Sequence, residues 1–500
     1  MYAGDAGRFE ANLYGVRKLS DKWSTMLMLH GSAVQREMDN NDDSFMDQPL
    51  VKQVNLYSRW RYHSGEKLEG QFGFKFISEQ RDGGQTAFDK ASDYGTTNHY
   101  GMQINTNRAE IYTKTGLVYY DKPNKSMGIQ SDWVFHNVKS FIGLRNYNAT
   151  QKSGYINYVF QNEINSCDHK FKTGASILID DFNEAFDDPF SKYKRNITYI
   201  IPGIFGEYNY NPDDKFTLIA GMRLDYSNEY SWFYTPRLHA KLNLTENAIV
   251  RVSAGKSYRT ANVIADNFGM LASSRILMIE ENLDQEEGYN YGANFTYKFK
   301  MNKRDATFSF DLYRTDFVNQ IVVDAVSIDS LIQIYNLHGQ SFAQSAAVSL
   351  DYEIIDNLTI RLAYKFDDVN VTFQKGLQEK PLIARNKALF NIAYEFANEK
   401  WRIDFTTQWN GKKKLVYQSY GLPEMNDKKY SPDFFIINTQ VTKVFRKFEL
   451  YAGGENITNY MQDDPIISAQ NPFDKSFDAT QIWGPIMGAR VYVGFRMNIQ

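Results

Sequence analysis

The 500-residue chain contains one cysteine, Cys167, so no disulfide can form within it. No run of 18 or more apolar residues occurs, and that rules out a helix crossing a bilayer. Lysine and arginine are nearly balanced by acidic residues, leaving a net charge of only −3. Such a chain offers no broad basic surface for nucleic acid. Prolines number 12 and no Pro/Gly/Ser-rich linker breaks the chain, so its length does not resolve into several domains. The seven histidines are scattered, and no H-E-x-x-H, G-x-S-x-G or Walker motif is present, so enzymatic activity is not expected. No signal peptide opens the chain.

What the chain does have is rhythm. Ten clipped polar turns, among them 19–22, 64–67, 164–169, 356–357 and 446–447, alternate with about ten long aromatic and charged connections such as 33–50, 79–105, 257–286, 411–431 and 457–484. Cys167 falls in one of the clipped turns, as a stray thiol. Between turns the residues alternate with period two. Ala306, Phe308, Phe310 and Leu312 share one face, against Asp305, Thr307, Ser309, Asp311 and Tyr313 on the other. Phe72, Phe74 and Phe76 likewise oppose Gln71, Gly73 and Lys75.

A soluble antiparallel sandwich shows the same alternation. Length separates the two cases, because these strands run to about ten residues or more, enough to cross a bilayer when tilted by about 45°, whereas soluble strands average about 5–6. Trp401 and Trp409 lie on one face of a single strand, about 26 Å apart along it, which fits the two aromatic girdles of a membrane barrel. A composition with 34 Tyr and 35 Phe can supply such girdles all round. The predicted fold class is therefore an all-β, antiparallel transmembrane β-barrel.

Ten turns define about twenty strands, and the terminal 488–499 segment adds another. Bacterial single-chain barrels have even counts, and residues 8–16 run directly into a clipped turn. One strand should precede them, and Met1–Gly7 is too short to supply it. The expectation is about 21 of 22 strands, with the first strand and everything upstream outside this chain. Barrels of that size are plugged transporters, not open porins.

Here a resemblance becomes specific. The segment SYRTANVIADNFGMLASSR at 257–275, preceded by RVSAG at 251–255, resembles the signature of TonB-dependent receptors of the Bacteroidetes type. So do NITN at 456–459 and GPIMGARVYVG at 484–494, and YAGDAGRFEAN at 2–12 resembles the segment just after the family's first barrel strand. The resemblance implies a 22-stranded barrel in a Gram-negative outer membrane, with residues 1–500 forming strands 2 to 22. It further implies an N-terminal plug, energy from the TonB complex through a box upstream of that plug, and insertion by the barrel assembly machinery. The insertion signal usually ends on an aromatic residue, and here Tyr492, Gly494, Met497 and Ile499 keep its spacing while the chain ends in Gln500. A small-molecule nutrient is the implied ligand, with a ferric siderophore or a cobalamin as the default and an oligosaccharide or peptide as further options.

Candidate site residues follow. Arg259, Asn262 and Arg275 either shape the mouth of the ligand vestibule or order a loop over the plug; arginine forks suit both, and the ordering role is the favoured one. Tyr230, Trp232, Tyr417, Tyr420 and Trp483 are aromatics that stack on a ligand, or else pin loops and mark the outer girdle. Asp39, Asn41, Asp43, Phe45 and Asp47 follow a calcium-loop spacing, with Phe45 offering its carbonyl. Ser44 stands where that loop expects glycine and Leu50 where it expects a closing glutamate, so a solvated acidic loop competes with calcium. Arg223, Asp225, Arg251, Asp311, Arg402 and Asp404 should face a polar lumen. The rival functions are a passive porin-like channel and a soluble β carbohydrate-binding module or propeller.

Overall fold

The computed structural model describes every residue except 66, 120, 123, 398, 417–428 and 499–500. One sheet of 23 strands closes on itself. Gly376–Glu379 is a side hairpin paired only with Leu358–Phe373, which leaves a 22-stranded antiparallel barrel. Apolar side chains such as Phe72, Phe74, Ile111, Leu238, Val252 and Leu312 stand exposed on its outside. A sandwich would bury those faces between two layers. Here they form the contiguous apolar exterior that only lipid can cover.

The expected absence of a first strand is corrected by Tyr2–Gly4. This three-residue strand pairs with Arg8–Glu10 on one side and with Tyr492–Gly494 on the other. Reciprocal bonds between Met1 and Phe495, at 2.8 and 2.9 Å, extend the second pairing by one step. Three residues are enough because each edge needs only a few backbone pairs to set register. An apolar-walled groove of about 990 Å³ runs along this seam, bordered by Phe9, Trp401, Leu450 and Val493.

Nine of the ten clipped turns fall where the alternation places them. The tenth is tighter than expected: a single residue separates Arg145–Ile164 from Ser166–Asp187, and Asn165 alone turns the chain at φ 62°. Cys167 is therefore an exposed residue within a strand, not a turn residue.

At the opposite end the expectation of uniformly long loops needs correcting. The six strands from Leu68–Gly84 to Lys192–Tyr210 are 17 to 22 residues long. Gly143–Leu144 alone joins Ser126–Ile142 to Arg145–Ile164, and residues 188–191 and 228–230 close the next two hairpins. Much of what reads as loop is strand rising beyond the bilayer. The far wall is lower, with strands of 8 to 11 residues from Asn386–Glu395 to Arg490–Met497.

Lumen-facing charges are tied into ion pairs and polar networks. Arg223 holds Asp225 at 2.6 Å and donates to Ser176 at 2.7 Å. Arg251 donates to Asn294 at 2.9 Å, and Asn294 to Asp311 at 2.8 Å. Arg402 lies between Glu395 and Glu449, at 3.4 and 3.1 Å.

Candidate functional site: the loop cluster at the barrel mouth

The long connections are packed into a roof. Phe45, Tyr100, Ile142, Val263, Ile264, Leu271, Ile334 and Phe477 come from six different parts of the chain and share one buried apolar core. A three-stranded sheet of Ile276–Ile279, Leu331–Asn336 and Ile321–Asp324 braces it. Burial of this much apolar surface outside the bilayer is what holds otherwise irregular loops in one arrangement.

Buried arginines sew the roof to the barrel. The Gly143–Leu144 turn needs a left-handed residue, and Gly143 takes φ 56° with its Cα against the Tyr100 ring. That turn delivers Arg145, which donates to the carbonyls of Leu271 at 3.1 Å, Arg275 at 2.5 Å and Ser273, while its Nε pairs with Asp188 at 2.6 Å. Arg275 then reaches Asp478 at 3.1 Å and the Ala325 carbonyl at 2.9 Å. Backbone bonds from Ser274 to Phe477 and from Ala479 to Ala272, both 2.9 Å, complete the join. Arg275 is 4% exposed, so it orders the 257–275 segment and presents no fork to a ligand.

Arg259 behaves differently. More than half exposed, it pairs with Glu286 at 2.6 Å and Asp266 at 3.2 Å. Burial works against its charge, but these two carboxylates outweigh it and hold the guanidinium above its ordinary pKa. The three line a cavity of about 330 Å³ together with Asn267, Gln320, Lys380, Ile321, Val323, Val371 and Phe373. A space of this size lined by both charged and apolar side chains suits part of a small amphipathic molecule.

Asn262 precedes the short Val263–Asp266 helix and makes no side-chain cap to it. Its backbone N–H instead donates to Asp266 at 3.1 Å, and its side-chain oxygen accepts from Arg195 at 3.5 Å. Arg195 also lies 3.9 Å from Glu184, which accepts from Tyr147 at 3.0 Å.

The candidate aromatics divide. Tyr230 stacks on buried Tyr199 with centroids 6.1 Å apart. Trp232 lies on the lipid-side face of its strand, with Tyr226 5.1 Å away and Tyr234 next on the same face. Trp483 is buried with Leu415 and Phe434 and its amide donates to Gln462 at 2.7 Å, so it pins the last loop. Tyr417 and Tyr420 lie outside the described residues.

In the acidic loop Ser44 does adopt the left-handed conformation, φ 71°, that a glycine would supply. Its carboxylates, however, brace the loop's own backbone. Asp39 accepts from the Asp43 and Ser44 amides, Asp43 from Phe45 at 2.8 Å, and Asp47 from Asn40. Phe45 sends its side chain into the roof core. Burial raises the pKa of both Asp43 and Asp47. Among the described residues no group of three or more His, Cys, Asp or Glu is placed to hold a metal ion.

Sequence reasoning missed Arg145, Asp188, Asp324 and Asp478. Asp324 is wholly buried and accepts from the Val326, Ser327 and Gln374 amides and from the Ser327 and Tyr335 hydroxyls, at 2.6 to 3.1 Å. The Asp–Pro pair at 188–189 does signal a turn, but nothing in it announces an ion pair with Arg145.

Comparison with known proteins agrees with this geometry. The family model described as "TonB dependent receptor-like, beta-barrel" matches residues 12–457. Among solved structures, a mutant of the ferric enterobactin receptor from Pseudomonas aeruginosa is 13% identical, with a TM-score of 0.70 over 99% of this chain and 79% of that one. The copper transporter OprC is 11% identical, with a TM-score of 0.71 over 100% and 79%. FpvA of P. aeruginosa bound to heterologous pyoverdines is 11% identical, with a TM-score of 0.71 over 99% and 70%. At these identities the likeness is one of fold. No curated protein matches the sequence.

Proposed function

Because the chain belongs to the TonB-dependent receptor-like β-barrel family, we propose that it forms the barrel and ligand-facing mouth of an outer-membrane receptor importing a scarce nutrient. Energy comes from the TonB complex, since the outer membrane has no energy source of its own. The observation that carries the reading is the roof. Loops fixed by buried ion pairs surround an amphipathic cavity with Arg259 on its rim, at the open end of a wide barrel. A passive pore has no use for a rigid, partly greasy recess across its entrance.

The substrate class we favour is a ferric siderophore or a cobalamin. Both are scarce, bulky and mixed in polarity, which suits a cavity lined by charged and apolar side chains together. A plug domain and a TonB-contacting box belong to this reading. The described residues all belong to the barrel and its loops.

The test is uptake of labelled ferric siderophores and cobalamin by cells expressing the full receptor, with and without a protonophore. Saturable uptake of one ligand, abolished by the protonophore, is expected. Non-saturable uptake graded only by solute size and indifferent to the protonophore would identify a passive channel and overturn the proposal.

A further inference from the structure

The cavity beside Arg259 has one wall built unlike the rest. Ile321 and Val323 belong to the braced roof sheet, and Val371 and Phe373 to the barrel strand Leu358–Phe373. Lys380 and Pro381 belong instead to the connection between Gly376–Glu379 and Asn386–Glu395. That connection is pinned on both sides of its tip. The Lys380 amide donates to the Val369 carbonyl at 2.9 Å, and Ala384 pairs with Lys413 in an antiparallel bridge. Between the pins, residues 381–383 set how far this wall reaches.

The tip is strained. Leu382 follows the proline and takes φ 63°, the left-handed conformation that the third residue of a type II turn requires. Glycine or asparagine usually stands there, because a Cβ crowds the neighbouring carbonyl. Two contacts hold leucine in it. The Leu382 amide donates to the Lys414 carbonyl at 2.9 Å, and the side chain packs against buried Leu415, Phe434 and Trp483. Those partners are themselves fixed: Phe434 stacks on Tyr460 at 5.0 Å, and Lys413 donates to the Trp483 carbonyl at 2.5 Å. Leu382 is not among the residues that line the cavity. A bulky residue keeps a disfavoured backbone state only where its surroundings over-determine it, and such residues gather at binding sites.

We propose that Leu382 is a positioning residue: its anchored, left-handed turn holds Lys380 and Pro381 at the cavity edge and so sets the size of molecule the cavity admits. With the anchor in place the backbone cannot relax, and the cavity keeps its volume of about 330 Å³. With the anchor lost, a residue bearing a Cβ leaves the left-handed region, the turn rearranges between its pins, and the wall recedes. Glycine lacks that drive, so even without the anchor it leaves the wall nearer its place. This inference rests on the reading of the cavity as part of the ligand site.

The experiment uses the full receptor in bilayers on a Cys167→Ser background, with Val326→Cys reporting from the cavity lining. Met278→Cys at an exposed position and Leu271→Cys in the roof core are the reference sites. Modification rates are measured with methyl methanethiosulfonate and with a dye-sized maleimide, each divided by its rate at Met278→Cys. With leucine at 382 the small reagent should outpace the large one at least twentyfold. Leu382→Ala should raise the large reagent's rate about tenfold, Leu382→Gly about threefold and Leu382→Met less than twofold, while Leu271→Cys stays unreactive throughout. An unchanged rate in Leu382→Ala, or a glycine effect as large as the alanine one, would overturn the proposal. So would a matching gain at Leu271→Cys, which would show a loosened roof instead. Size selection that depends on Leu382, together with protonophore-insensitive uptake by the wild type, would sink the importer reading alone. Size selection indifferent to these substitutions, in a receptor with saturable, energised uptake, would sink this inference alone.

Discussion

Replacing Arg145 with methionine removes the central tie of the roof while keeping an unbranched apolar stem. Arg145 is 8% exposed and serves three carbonyls and Asp188. Removing one partner of a buried ion pair costs about 3–5 kcal/mol. Each carbonyl left dry adds about 1 kcal/mol, less where water enters. A local loss of about 4 kcal/mol is a conservative figure, and at about 1.4 kcal/mol per tenfold it corresponds to a roughly thousandfold rise in local opening. The loss should be confined to the roof, because barrel pairs such as Phe72–Thr113 and Gly73–Tyr112 do not involve this side chain. Hydrogen exchange of the reconstituted protein reads it directly. The Ser274, Ile276 and Ala479 amides, which donate to Phe477, Ser330 and Ala272, should lose protection about a thousandfold while the barrel amides do not change. Adding Asp188→Asn should restore part of it, since the stranded charge is gone. Exchange at those three amides within threefold of wild type would refute the idea that Arg145 holds the roof.

Asp324 should make the roof acid-sensitive. Burial alone would raise its pKa, but hydrogen bonds from Ser327, Gln374 and Val326 hold it below the ordinary value. Its stabilising contribution is therefore complete above the unfolded pKa of about 3.9 and disappears as pH falls through the lower folded value. Limited proteolysis of the outer loops should accelerate only below about pH 4, and Asp324→Asn should mimic that loss at neutral pH, by about 2–3 kcal/mol; cleavage unchanged down to pH 2 would contradict it. Trp483→Ala should cost about 3–5 kcal/mol of roof stability by emptying a packed site, whereas Trp232→Ala should leave ligand affinity within twofold in a binding titration. Gly203→Ala should drive a methyl into the Arg223–Asp225 pair and destabilise the barrel by about 1–3 kcal/mol, seen as a lower temperature for the heat-modifiable shift on gels.

The barrel was legible in the sequence because its cause is local. Alternation along Gln71–Phe76 and Asp305–Tyr313 follows from which face meets lipid, and turns such as Asp356–Asn357 declare themselves by composition. Legibility ended where lipid ended. Above the bilayer both faces of a strand meet water or loops, so alternation fades, and the stretch from Glu79 to Asn105 reads as loop although Glu79 pairs with Thr106. The three-residue Tyr2–Gly4 strand was too short to carry any pattern. The site was harder still. Trp232 and Trp483 look alike as loop aromatics, yet strand register turns one towards lipid and tertiary packing buries the other. Arg145 and Asp188 lie 43 positions apart in the chain, and only the adjacent hairpin tips bring them together.

The central claim is that the apolar strand faces look out into lipid and the polar ones into a water-filled lumen. Single-cysteine spin labelling on a Cys167→Ser background tests it most directly, comparing Phe72, Phe74, Phe76 and Ile111 with Gln71, Lys75 and Glu110 in bilayers. Labels at the first four should collide freely with oxygen and hardly at all with a water-soluble nickel complex, and labels at the other three should do the reverse. If both sets were shielded from both reagents, the apolar faces would be packed against protein, and the membrane barrel would be wrong.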